Sequence, residues 1–146
     1  MTIETSLSRR QFVLGTSALA VSAAVMPWAR AESDLLTMSA TDAVRRMRSG
    51  DLSAETYARA LLDQCNRMRD LNAFITIDPD AVMAAARAAD GARARGERLG
   101  ALHGLPVPVK DSIQTRDLPT TAGTAALRGF RPRQDAKVVD ALRRAG

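Results

Sequence analysis

Apolar residues recur at helical spacing along most of the chain. Ala43, Val44 and Met47 share one side of a short helix that Ser39-Ala40-Thr41-Asp42 can cap and Ser49-Gly50-Asp51 ends. Ser53 begins a longer helix to about Arg69, on which Ala58, Leu61, Leu62, Cys65 and Met68 fall on one face. Asp78-Pro79-Asp80 opens a third, running through Val82-Met83-Ala84-Ala85-Ala86 to about Arg95, with Gly96 and Gly100 as stops. A final helix over Asp135–Ala145 turns Val138, Val139 and Leu142 inward. The period shortens to two in two places. Asn72–Ile77 alternates Phe74 and Thr76 against Ile75 and Ile77, as in a strand. Leu102–Ile113 puts Pro106 and Pro108 on one face and Val107 and Val109 on the other. Two prolines remove two backbone donors, so this segment reads as an edge or irregular strand. Asp117–Phe130 is loop-like, punctuated by Pro119, Gly123 and Gly129. Helices followed by strand–helix alternation predict an α/β fold: an N-terminal helical arm, then the start of a mixed β-sheet flanked by helices.

The first 31 residues follow a different pattern. Ser8-Arg9-Arg10-Gln11-Phe12-Val13-Leu14-Gly15 is an arginine pair followed by an uncharged stretch to Ala29, and Ala29-Arg30-Ala31 offers a small–X–small cleavage site. Together they read as a twin-arginine export signal. Gly15, Thr16, Ser17, Ser22 and Pro27 weaken the stretch as a lasting membrane span. The predicted organisation is a signal peptide over 1–31, a linker over 32–39 and a folded body over 40–146. The partner this implies is the twin-arginine export machinery. The destination is the periplasm or the outside of the cell, with membrane anchorage if the signal stays uncleaved.

Composition narrows the function classes. With 46% hydrophobic and 25% charged residues the chain reads as globular, and with only 3% aromatics its core must be built from Ala, Leu, Val and Met. The net charge of +5 is carried by interspersed Arg, with no aromatic-interleaved basic strip to stack bases, so nucleic acid is not an expected partner. Cys65 is the only cysteine, so no internal disulfide can form, and its apolar neighbours suggest a buried small hydrophobe. His103 is the only histidine and has no companion ligands, so no metal and no cofactor are expected. Lys110 stands out because the chain has nineteen Arg and two Lys. A lysine can give up its proton when burial lowers its pKa, whereas arginine cannot. Lys110 is thus a candidate proton-transfer residue, the other reading being a surface lysine at a strand end.

Leu102-His103-Gly104-Leu105-Pro106-Val107-Pro108-Val109-Lys110-Asp111-Ser112-Ile113 and Leu118-Pro119-Thr120-Thr121-Ala122-Gly123-Thr124 resemble the motifs of the amidase signature family. Asp135–Gly146 is similar to that family's D-A-x-x-V-x-x-L-R-x-A-G helix. The resemblance implies a Ser–cis-Ser–Lys triad that cleaves a carboxamide C–N bond, with Lys110 as the proton acceptor. It implies a small amide substrate, similar to those of indoleacetamide or mandelamide hydrolases, and no cofactor. Export argues against an amidotransferase that works on charged tRNA. The loop residues Thr120, Thr121 and Gly123 would pack beside the active site, or serve only as a turn in which Gly123 supplies a positive φ. The family's two serines lie in a Gly/Ser-rich motif downstream of the Lys, and no G-G-S-S-G occurs in 1–146. Residues 1–146 alone are therefore expected to be an inactive N-terminal part of an amidase domain. The alternative is a non-catalytic helical interaction module, and a homodimer is left open.

Overall fold

The computed structural model describes residues 34–146. The signal-peptide assignment, with Arg9, Arg10, Ala29 and Ala31, lies outside these residues. Residues 34–37, inside the segment read as a linker, make a helical turn, and Leu35 and Met38 pack against the core.

Four longer helices follow among the described residues: α1 (Ala40–Ser49), α2 (Ala54–Arg67), α3 (Pro79–Ala94) and α4 (Lys137–Ala145). Their starts obey local chemistry. Ser39 Oγ accepts the Asp42 N–H at 3.1 Å, Ser53 Oγ accepts the Thr56 N–H at 3.0 Å, and Asp78 Oδ1 accepts the Ala81 N–H at 3.0 Å. Each satisfies a donor that helix geometry leaves unpaired. Gly50 ends α1 at φ 89°, its N–H returning to the Arg46 carbonyl at 3.0 Å.

One cap comes from far away in sequence. The Asp90 carboxylate on α3 accepts the N–H groups of Ala54 at 2.9 Å and Glu55 at 3.0 Å. With Ser53 it satisfies the first three amides of α2, and its charge complements the positive end of the helix dipole. It also locks α2 against α3. Asp90→Ala is expected to cost about 1–3 kcal/mol of unfolding free energy, since two part-buried donors lose a charged acceptor. Urea denaturation followed by circular dichroism measures it, and an unchanged midpoint would show that water replaces the carboxylate.

The core is built from Ala, Leu, Val and Met as expected, with Tyr57 as an aromatic exception: Ala43, Val44, Met47, Leu52, Ala54, Tyr57, Ala58 and Ala86 are buried together, with Leu61, Val82, Met83, Ala89 and Leu105 packed around them. Small alanines on α1, α2 and α3 let the backbones approach, and Met47 fills the space between them with no exposed surface. Gly104 brings the 102–105 turn onto this cluster. A Cβ there would stand 2.9 Å from Ala54 Cβ and 3.3 Å from Met47 Sδ.

The expected mixed sheet is not found; the described residues contain helices, turns and irregular chain, with no strand. A strand exists only as half of a ladder, because its amides and carbonyls need a neighbour. For Phe74–Ile77 no partner is present among the described residues, and Phe74, Ile75 and Ile77 are 47%, 62% and 38% exposed. Pro106 and Pro108 cannot donate, and Leu102–Leu105 and Lys110–Ile113 close as turns, with N···O distances of 3.0 and 2.8 Å. The described residues thus form helices joined by turns and irregular chain rather than the expected α/β sheet, and these two segments are irregular chain.

Smaller corrections follow from packing. In α4 Val139 is buried, Leu142 is partly covered and Val138 is 53% exposed, so the inward face is narrower than its apolar residues suggest. That helix begins at Lys137 rather than Asp135, whose carboxylate is used elsewhere: it accepts the Arg116 N–H at 2.9 Å and pairs with Arg143 Nε at 3.0 Å. The far end of α4 docks on the 100–103 turn, where the Leu102 N–H donates to the Ala145 carbonyl at 2.8 Å and Arg48 Nη1 donates to the Gly100 carbonyl at 2.7 Å. Cys65 is only half-buried. It lines an open apolar cleft of about 650 Å³ with Leu62, Met68, Leu71, Phe74 and Ile77.

Candidate active site

Lys110 ends the extended proline segment, and the chain turns at once: the Ile113 N–H donates to the Lys110 carbonyl at 2.8 Å. The Lys110 side chain is exposed and makes no hydrogen bond or ion pair among the described residues. Its neighbour Asp111 does the opposite. The Asp111 carboxylate accepts the Thr121 N–H at 3.1 Å, the Thr121 hydroxyl at 2.5 Å and the Gly123 N–H at 3.2 Å, while its own carbonyl accepts the Ala122 N–H at 3.3 Å. The 120–123 loop is thereby brought onto the Lys110–Asp111 peptide.

The loop's shape explains how one carboxylate gathers so many donors. Ala122 and Gly123 have φ of 50° and 68°, consecutive left-handed residues that turn their amides to one side. Gly123 adopts this freely; Ala122 does so against its Cβ. Thr121 Oγ1 also accepts the Gly123 N–H at 3.2 Å. Thr120 is buried behind the loop, its N–H donating to the Phe130 carbonyl at 2.9 Å and its Oγ1 without a hydrogen-bond partner. The structure therefore brings Lys110, Thr121 and Gly123 together through Asp111. The sequence alone does not single out Asp111 as this link, because a bond spanning ten residues leaves no periodic signal.

The Thr121 hydroxyl bond holds the Asp111 carboxyl below its ordinary range; burial opposes this, and the backbone amides of Thr121, Gly123 and Ala122 reinforce it. His103 is a second perturbed group. It is buried, its Nε2 has no hydrogen-bond partner, and it lies beneath the docked end of α4. Burial pushes its pKa down; Asp90 opposes the shift, and Arg48 and Arg93 add to it. Both folded pKa values are depressed, so both groups favour folding at higher pH and lose that contribution as pH falls. An acid titration of stability is expected to fall first below about 6.5, where the unfolded imidazole binds a proton that the native one refuses, and again below about 3.8. His103→Gln should remove the first decline and leave the second, read from urea midpoints across pH.

No group of three or more His, Cys, Asp or Glu among the described residues could hold a metal ion. No helix among them is long and apolar enough to cross a membrane.

The lysine-bearing turn, the glycine loop and α4 all lie within the stretch that a known family matches. The Amidase family model matches residues 57–146, and the chain belongs to that family. It is 42% identical over 115 residues to a glutamyl-tRNA(Gln) amidotransferase subunit of Salinispora arenicola, a match covering 78% of this chain and 23% of that protein. It is 39% identical to the putative amidase AmiD of Mycobacterium bovis, covering 79% and 24% respectively. Among solved structures it superposes with a TM-score of 0.70 and 33% identity on a component of a vestigial protein complex that reveals the evolutionary origins of an s-triazine catabolic enzyme, covering 75% of this chain and 24% of that one. The chain thus spans about a quarter of the length of the relatives it matches.

Proposed function

We propose that this chain supplies the lysine-bearing part of an amidase that cleaves small carboxamides, with Lys110 as the base of a Ser–cis-Ser–Lys triad. The observation that carries this reading is the clamp that holds the Lys110 backbone against Thr121–Gly123 in a chain of the amidase family. A serine hydroxyl becomes a nucleophile when a base takes its proton, and a lysine kept neutral by dry surroundings can be that base. The hydroxyl then attacks the amide carbonyl, the amine leaves carrying a proton, and water releases the acyl group. Both serines would come from outside 1–146, so these residues alone are read as inactive.

The arginine pair Arg9–Arg10 and the Ala29-Arg30-Ala31 site support export and removal of residues 1–31, placing the product in the periplasm or outside the cell. Several relatives are named as amidotransferase subunits for glutamyl-tRNA(Gln). An exported chain would be separated from such a substrate, which favours free small or aromatic amides here. A second reading, a non-catalytic interaction module, is favoured by the exposed apolar run Leu71, Phe74, Ile75 and Ile77.

A chimera separates the two. Residues 34–146 replace the matching quarter of the M. bovis relative, and ammonia release from small amides is measured. Activity in the folded chimera, absent from the same host lacking the segment and from residues 1–146 alone, supports the amidase. A folded but silent chimera supports the module.

A further inference from the structure

We propose that Asp111 is a positioning residue: its carboxylate fills a cradle of backbone amides at 121–123 and so fixes the backbone from which Lys110 projects. What Lys110 then does rests on the amidase reading above; the clamp does not.

Three observations carry it. The cradle is concave toward an anion: Thr121 and Gly123 aim their N–H groups at one carboxylate, and the Thr121 hydroxyl joins them. An alanine sits at φ 50° to complete it, a conformation that side chains avoid unless something holds it. The anchoring reaches the Lys110 backbone at its own carbonyl and the next, since the Lys110 carbonyl takes the Ile113 N–H at 2.8 Å and the Asp111 carbonyl takes the Ala122 N–H at 3.3 Å. A flexible, exposed lysine thus leaves a backbone fixed at two consecutive carbonyls. An ordinary turn needs no charge at this place; a charge-filled cradle does. The proposal therefore turns on whether the negative charge, rather than the covalent side chain, is what the loop requires.

Amide hydrogen exchange by NMR on the full 146-residue chain tests this, with Asp111→Ala measured in sodium formate and in sodium chloride of equal ionic strength. In chloride, the amides of Ile113, Thr121 and Gly123 are expected to exchange about tenfold or more faster than in the unaltered chain, the loss of one or two charge-assisted hydrogen bonds. Core amides such as Met47 and Ala58 should keep their protection. Formate should enter the emptied cradle and slow all three again, an outcome that a purely structural aspartate does not give. Unchanged exchange at the three amides, or a loss that formate fails to reverse, overturns the proposal. Should Asp111→Ala not fold, Thr121→Val removes the hydroxyl that donates to Asp111 and also accepts the Gly123 N–H, so Gly123 is not used as the readout there. Faster exchange at Ile113 with an intact core then supports the clamp, and no change overturns it. A silent chimera beside an intact clamp counts against the amidase alone, and a loop indifferent to Asp111 beside an active chimera counts against the clamp alone.

Discussion

Lys110→Ala in the chimera is expected to lower kcat/KM for amide hydrolysis by about 10²–10⁴-fold, the usual weight of a positioned general base. Lys110→Arg should be nearly as damaging. A guanidinium keeps the charge and much of the length but cannot accept a proton from a serine. The pair of variants decides between two ways a lysine could act. If its positive charge merely held an anion or oriented a loop, arginine would rescue it. If the neutral amine is the working form, it would not. Lys137, the only other lysine, lies exposed at the start of α4, so Lys137→Ala should leave the rate near that of the parent chimera and controls for loss of a charge. Within residues 34–146 nothing covers Lys110. The desolvation that lowers a lysine's pKa must come from the host portion of the chimera, which is why the rate is read there. Retention of most activity by Lys110→Arg would remove the proton-transfer role.

How far the sequence could be read depended on the range of each interaction. Ser39, Ser53 and Asp78 bond to amides three positions on, a spacing visible in the primary structure, and the three helix starts were legible for that reason. Asp90 does the same work at α2 from 36 residues away, and Asp111 holds a loop ten residues on; neither leaves a periodic trace. The alternation in Phe74–Ile77 is a genuine β-type pattern, yet a pattern specifies only which faces a strand would present. Whether a strand forms depends on a neighbour, and its exposed apolar side chains show that none covers it within 34–146. At the candidate site, the rarity of lysine brought Lys110 forward, and motif resemblance gave it a role and added Thr120, Thr121 and Gly123. Only geometry showed that Asp111 is the link between them, and that Thr120 is buried with an unpartnered hydroxyl.

A single methyl group added at Gly104 is expected to cost much of the fold's stability. Gly104→Ala should destabilise the fold by about 2–5 kcal/mol, combining left-handed strain with overpacking. The backbone there has φ 72°, and the added Cβ would meet Ala54 Cβ at 2.9 Å and Met47 Sδ at 3.3 Å. Met47 can swing its sulfur aside, because a thioether chain has several rotamers. Ala54 cannot follow: it is the first residue of α2, and its own N–H is fixed to Asp90 at 2.9 Å. The strain must therefore push the 102–105 turn off the helices, and with it the His103 side chain and the end of α4 docked at Leu102. Gly96 supplies the control. It has nearly the same φ, 71°, but a Cβ there meets nothing within 4 Å, so Gly96→Ala should cost only the backbone strain of about 1–2 kcal/mol. The difference between the two variants, measured by urea denaturation under one buffer condition, isolates the packing contribution. Equal losses would mean that the turn does not press on the core, and that the contact between Gly104 and Ala54 has no energetic consequence.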